Sequence, residues 1–170
     1  MKHLFPHHDK IEPSTFEQFN KNGPQLTFII NYFLLQYLNT VNSEFDGDFI
    51  LAIVLGEIAH YNISLFVQNG KFKTDPDTIA DHITKQKSLL PCNPFSISEA
   101  TGIPRETVRR KFAQLKKQGL IVQTTSRSYV LTMKVQERFS GDFNIRMFEG
   151  LKRTFSEIQV ILDESGKSWS

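Results

Sequence analysis

A mainly α fold carrying one small β-hairpin is what this 170-residue sequence predicts. Three observations point to it. Apolar runs of helical length occupy 26–38 and 49–61, and a 3-4 spaced apolar series ends the chain. Between them, 96–132 is punctuated by glycines at 102 and 119, which mark off one amphipathic segment. Two short alternating segments then close that stretch, the pattern of a hairpin.

The elements follow in order. Residues 1–14 read as a loose arm; His3, His7 and His8 there have no acid or cysteine at ligand spacing. Pro24 suits the first turn of a helix, where its missing N–H would have no partner. From 26 to 38 (LTFIINYFLLQYL) apolar residues fall on nearly every face, which predicts a buried helix, here between subunits. A polar break at 42–48 precedes a second apolar helix at 49–61, in which Gly56 would allow close approach of a neighbour and His60 with Tyr61 reads as a core pair. Residues 69–74 (NGKFKT) read as a turn or short hairpin. Asp75-Pro76-Asp77-Thr78 then opens a helix to about residue 87, with Pro91 and Pro94 as a linker after it.

Near the C-terminus a helix over about 143–162 places Phe148, Leu151, Phe155, Ile158 and Leu162 at 3-4-3-4 spacing. That is a narrow seam of the kind that pairs two helices. The domain organisation expected is therefore an arm at 1–15 and a helical dimerisation region at 16–48. A nucleic-acid-type domain at 49–134 with an insertion at 62–93 comes next, then a dimerisation helix at 135–170.

Charge is unevenly spread. Net charge is only +2, yet 105–134 holds eight basic residues (Arg105, Arg109, Arg110, Lys111, Lys116, Lys117, Arg127, Lys134) against Glu106. That segment carries +7 and the remainder about −5, so one electropositive face is expected, the footprint of phosphate contacts. Cys92 is the single cysteine, which excludes an intramolecular disulfide and fits a reducing cytoplasm. The N-terminus lacks the apolar core of a signal peptide, and the runs at 26–38 and 49–59 read as too short to cross a membrane.

Within 96–132, Ser96 and Glu99 have capping-box spacing and would start a short helix burying Ile97 and Ala100. Gly102 supplies a tight turn, Ile103 plugs the core, and Pro104 opens the next helix, 104–118. Val108, Phe112 and Leu115 share one face of it. Glu106, Arg110, Ala113 and Lys117 lie opposite, with Arg109 on the flank and Arg105 at the N-terminal end. Gly119 stops the helix, and 120–124 with 129–132 form strands around a tip that presents Arg127. This order of parts is that of a winged helix-turn-helix: recognition helix 104–118, wing 120–132, flanked by N- and C-terminal dimerisation helices.

The run 102–111, GIPRETVRRK, resembles the recognition-helix region of the cyclic-AMP receptor (Crp/Fnr) family of bacterial transcription regulators. In that family an Arg-Glu-x-x-x-Arg pattern reads the major groove, and the matching residues are Arg105, Glu106 and Arg110. The resemblance implies arginines bonding guanine edges, Glu106 accepting from cytosine, and Thr107 contacting phosphate. It covers only about 95–132; the first 90 residues read as helical, with no β-roll and no glycine-rich phosphate cassette, so cyclic-nucleotide sensing is not implied. The overall layout resembles MarR-type regulators.

The expected function is thus a homodimeric, sequence-specific transcriptional regulator of double-stranded DNA, with Arg105, Glu106, Thr107, Arg109, Arg110, Lys117 and Arg127 as contacts. A protein-interaction adaptor without a DNA target, or a plasmid or phage replication or partition protein, would use the same unit. No Gly-rich phosphate loop, H-E-x-x-H or cysteine cluster is present, so neither an enzyme nor a cofactor or metal is expected. A small-molecule effector could sit among Phe28, Tyr32, Phe33, Phe49 and Tyr61, between the Phe-rich helices and the hairpin unit.

Overall fold

The computed structural model describes residues 12–68, 71–72, 81, 89–125, 127–139 and 141–167. It is mainly helical with small antiparallel strand pairs. Helix α1 (Pro13–Glu44) and α2 (Phe49–Ile63) are followed by a 3-10 turn, Ser64–Phe66. Strands β1 (Val67–Gln68) and β2 (Lys71–Phe72) pair, then come α3 (Pro94–Thr101) and α4 (Arg105–Lys117). Strands β3 (Ile121–Thr125) and β4 (Ser128–Leu131) form the hairpin, and α5 (Met133–Phe139) and α6 (Asp142–Lys167) end the chain.

Helix α1 starts at Pro13, inside the stretch expected as an arm, and runs past the expected start at Pro24. α1 is two helical segments joined at a kink, and Pro24 lies in the first turn of the second, where proline is expected. Its ring and missing N–H disrupt the preceding turn, and Asn22 leaves helical geometry at φ −120° and ψ 16°. The helix also continues through 42–44, so the break before α2 shortens to 45–48, with Asp46 and Gly47 at positive φ. Asp48 then caps α2, its carboxylate accepting the Leu51 N–H at 3.0 Å.

The core is built on α2. Leu51, Val54, Leu55 and Ile58 pack with Ile97 of α3, Val108, Phe112 and Leu115 of α4, Ile121 and Leu131 of the hairpin, and Val41 and Phe45 from the end of α1. The apolar run is longer than the sequence reading allowed: Phe49–Phe66, 18 residues, is long and apolar enough to cross a membrane. Here one side of it forms this core, while Ile50 and Ile53 face outward. Its one fully buried polar side chain, Asn62, bonds the Leu90 carbonyl at 2.8 Å and accepts the Leu131 N–H at 2.8 Å.

Arg138 ties α5 to the end of α1. It donates to the Glu44 carboxylate at 2.7 Å and to the Glu44 carbonyl at 2.6 Å, and its guanidinium lies over the rings of Phe45 and Phe139. Helix α6 packs along α1. Phe143, Met147, Gly150, Thr154, Ile158 and Ile161 form its inner seam, and a Cβ on Gly150 would meet the Phe33 ring at 3.4 Å. The expected pairing seam is thus split. Phe148, Leu151 and Phe155 are exposed, whereas Ile158 and Leu162 are half-buried.

The turn expected at 69–74 is represented by the β1–β2 pairing, with Val67 opposite Phe72. The helix expected over 75–87 lies outside the described residues apart from Asp81, which is helical. His3, His7 and His8 also lie outside them.

Candidate nucleic-acid interface

The α3–turn–α4 unit is fixed from its first residue. Asn93, not Ser96, caps α3: its side chain accepts the N–H groups of Phe95 and Ser96, and Ser96 Oγ accepts the Asn93 N–H in return. The helix therefore begins three residues earlier than the Ser96–Glu99 pattern predicts. Pro94, expected in a linker, occupies its first turn, where proline is favoured. Thr101 and Ser98 then hold the turn, Ser98 Oγ donating to the Ile103 carbonyl at 2.7 Å. Gly102 takes φ +69°, the left-handed conformation that a Cβ penalises.

Helix α4 begins at Arg105, with Pro104 just outside it as the N-cap residue. Its inner face is Val108, Phe112 and Leu115, all 2 % exposed or less. The Phe112 ring meets Tyr129 of β4 edge-on at 5.1 Å. At the far end, Gly119 (φ +74°) donates to the Lys116 carbonyl and Leu120 donates to the Leu115 carbonyl, both at 3.0 Å. That pair of bonds is a Schellman closure, so the helix stops where the glycine allows.

With its inner face locked, the helix presents Arg105, Glu106, Arg109, Arg110, Lys116 and Lys117 outward. Thr107 is half-buried. Their local partners differ. Arg109 is bonded to Glu106 at 2.9 Å, one turn away, and Arg110 reaches the Thr107 hydroxyl at 3.4 Å. Lys116 donates to Gln123 of β3 at 3.1 Å. Arg105 lies 5.6 Å from the centroid of the Phe95 ring. Lys111 departs from the basic face: it turns inward to Asp48 at 2.5 Å, both side chains about four-fifths covered. The +7 of this segment therefore overstates its outward charge.

The hairpin adds one further cation. Thr125 and Ser128 pair directly, leaving a two-residue tip that is tighter than the four-residue tip expected. Arg127 there takes φ +83° and is exposed. A non-glycine residue in that region carries backbone strain, which tends to persist where function needs it.

Cys92 falls between Pro91 and Pro94, in the stretch expected as a linker. It exchanges backbone bonds with Tyr129, N–H to carbonyl at 3.1 Å and the reverse at 2.8 Å, and so lies beside β4 as a third rung. Its thiol is buried, and burial pushes its pKa up to about 12, which keeps it protonated.

The five aromatics expected to frame an effector pocket are spread over α1 and α2. Phe28 and Tyr32 stack at 6.4 Å on an exposed face, and Tyr61 packs on the core. A cleft of about 340 Å³ lies between α1 and α6, lined by Phe33, Gln36, Asn39, Thr40, Arg146, Met147 and Gly150. Among the described residues no group of three or more His, Cys, Asp or Glu side chains is placed to hold a metal ion.

An outward row of guanidinium groups can donate paired hydrogen bonds to phosphates or to base edges, and Glu106 can accept from an amino group. No protein-family model, no curated protein and no solved structure matches this chain, so the geometry alone carries its functional reading.

Proposed function

We propose that the chain is a sequence-specific DNA-binding transcriptional regulator of the winged helix-turn-helix type, acting as a homodimer on a palindromic duplex site. The observation that carries this reading is the division of α4. Val108, Phe112 and Leu115 are sealed into the core while Arg105, Glu106, Arg109 and Arg110 project from its N-terminal half. A helix that reads the major groove needs that division. In this reading Arg105, Glu106 and Arg110 face base edges, Thr107, Arg109 and Lys117 face the backbone, and Arg127 at the hairpin tip reaches a phosphate or the minor groove.

The homodimer rests on the scaffold helices. Residues 23–43 carry no charged side chain, and Phe28, Tyr32 and Leu35 are 71 %, 50 % and 59 % exposed. On α6, Phe148 and Phe155 are each 64 % exposed. Apolar area this extensive marks an association surface. An uncharged face can meet its own copy without like-charge repulsion, which makes a second copy its natural cover. Two recognition helices would then enter successive major grooves about one helical turn apart.

Titrating the purified chain against random-sequence duplex at several salt concentrations tests the DNA reading, with light scattering for mass. A dimer whose DNA affinity falls steeply with salt is expected. Absence of any salt-dependent binding overturns the reading in favour of a protein-interaction adaptor.

A further inference from the structure

Arg105 differs from the other arginines of α4. Arg109 is bonded to Glu106 and Arg110 reaches Thr107, whereas the contact recorded for Arg105 is the ring face of Phe95, 5.6 Å from its centroid. A ring face attracts a guanidinium through its quadrupole without occupying the N–H donors. Among the described residues Arg105 is thus oriented with its donors open to another molecule.

The backbone that carries the ring is fixed. Phe95 sits in the first turn of α3, and its backbone N–H is bonded to the Asn93 side chain at 2.9 Å. Pro94 fixes the preceding φ, and Gly102 turns the chain into α4, from which the Arg105 side chain reaches the Phe95 ring. The side chain of Phe95 is nevertheless 53 % exposed. It is spared from the core and placed under a cation.

We propose that Phe95 is a positioning residue that aims Arg105, and so sets the base preference that Arg105 reads. The proposal rests on the DNA-binding reading above and names a specificity determinant that reading lacks. An exposed cation–π contact corresponds to about a two- to fivefold preference.

The test is selection of bound sequences from a random duplex pool by the wild type, Arg105→Ala, Phe95→Leu and Phe95→Trp. Arg105→Ala is expected to lose the preference at one base pair of each half-site. Phe95→Leu, which keeps bulk without a ring face, should weaken preference at that same base pair about two- to fivefold and leave other positions unchanged. Phe95→Trp should retain it. A uniform loss of affinity in Phe95→Leu with no change at that position overturns the proposal and makes the ring a direct DNA contact. So does a Phe95→Leu profile identical to the wild type, or an Arg105→Ala profile with no altered position. A wild type that selects no motif and binds no duplex removes the DNA reading itself, a result distinct from the others.

Discussion

The side-chain carbonyl of Asn62 accepts the backbone N–H of Leu131 at 2.8 Å, joining residues 69 apart in the chain. Its amide donates to the Leu90 carbonyl, and its own backbone carbonyl accepts the Leu90 N–H at 3.0 Å. One buried side chain thus fastens the end of α2 to the last residue of β4 and to the strand-like segment before α3. Asn62→Ala would leave a buried donor and a buried acceptor without partners, each worth about 1–3 kcal/mol. A loss of about 2–5 kcal/mol is expected in urea unfolding, and a loss under 1 kcal/mol would contradict this account.

The Asp48–Lys111 pair makes stability depend on acid. Burial alone would raise the Asp48 carboxyl, but the Lys111 ammonium and the Leu51 N–H outweigh it and hold the group below its ordinary value of 3.8. The unfolded chain therefore takes up this proton first. The contribution is complete above pH 3.8 and is lost as pH falls through the lower folded value. Asp48→Asn should narrow the stability gap to wild type as acid unfolding is followed from neutral pH to about pH 3. A gap that stays constant would remove the pair from the pH profile.

Glycines 102 and 119 should respond unequally to alanine. Both have positive φ, but a Cβ on Gly102 meets nothing within 4 Å, whereas one on Gly119 meets Lys134 Nζ at 3.1 Å. Gly102→Ala carries backbone strain alone, about 1 kcal/mol, and Gly119→Ala adds displacement of the lysine. Thermal unfolding should rank Gly119→Ala as the less stable, and equal losses would show that Lys134 yields freely.

If the proposed DNA-binding function holds, Arg110 and Arg127 should affect DNA differently. Arg110→Ala is expected to weaken the preferred site by about 1–3 kcal/mol and relax one base position. Arg127→Gly removes a cation and relieves its positive φ, so affinity for all sequences should fall together while the fold gains or keeps stability. Footprinting with calorimetry of the unliganded variants distinguishes the two patterns.

Cys92 should be inert in the folded chain. Its thiol sits at 1 % exposure with a pKa near 12, so alkylation at neutral pH should track global unfolding. Labelling at the rate of a free thiol in native buffer would mean that the segment beside β4 opens on its own.

Much of the α3–α4 unit and the hairpin was legible because short-range rules agree there. The seam of Val108, Phe112 and Leu115 fixes the helix phase, and the glycines at 102 and 119 mark its ends. The cap was misplaced because two polar patterns compete: Asn93-Pro94 and Ser96-x-x-Glu99 both suit a helix start, and proline in the first turn favours the former. The length of α1 was hidden because Pro24 signals a start and a kink equally well. Asn62, Cys92 and Phe95 take their roles from partners 10 to 69 residues away. Periodicity carries no information about such pairings. The inward turn of Lys111 was invisible for the same reason, since its partner caps another helix.

That inward lysine separates two processes on the salt axis. Mobile ions weaken contacts between outward cations and a polyanion, but reach a covered pair far less. In the proposed complex, salt that strips duplex from Arg105, Arg110 and Arg127 should leave Lys111 on Asp48 and the helix seated. Elution would then be reversible, and the chain recovered at high ionic strength should rebind at once when diluted, with no refolding lag.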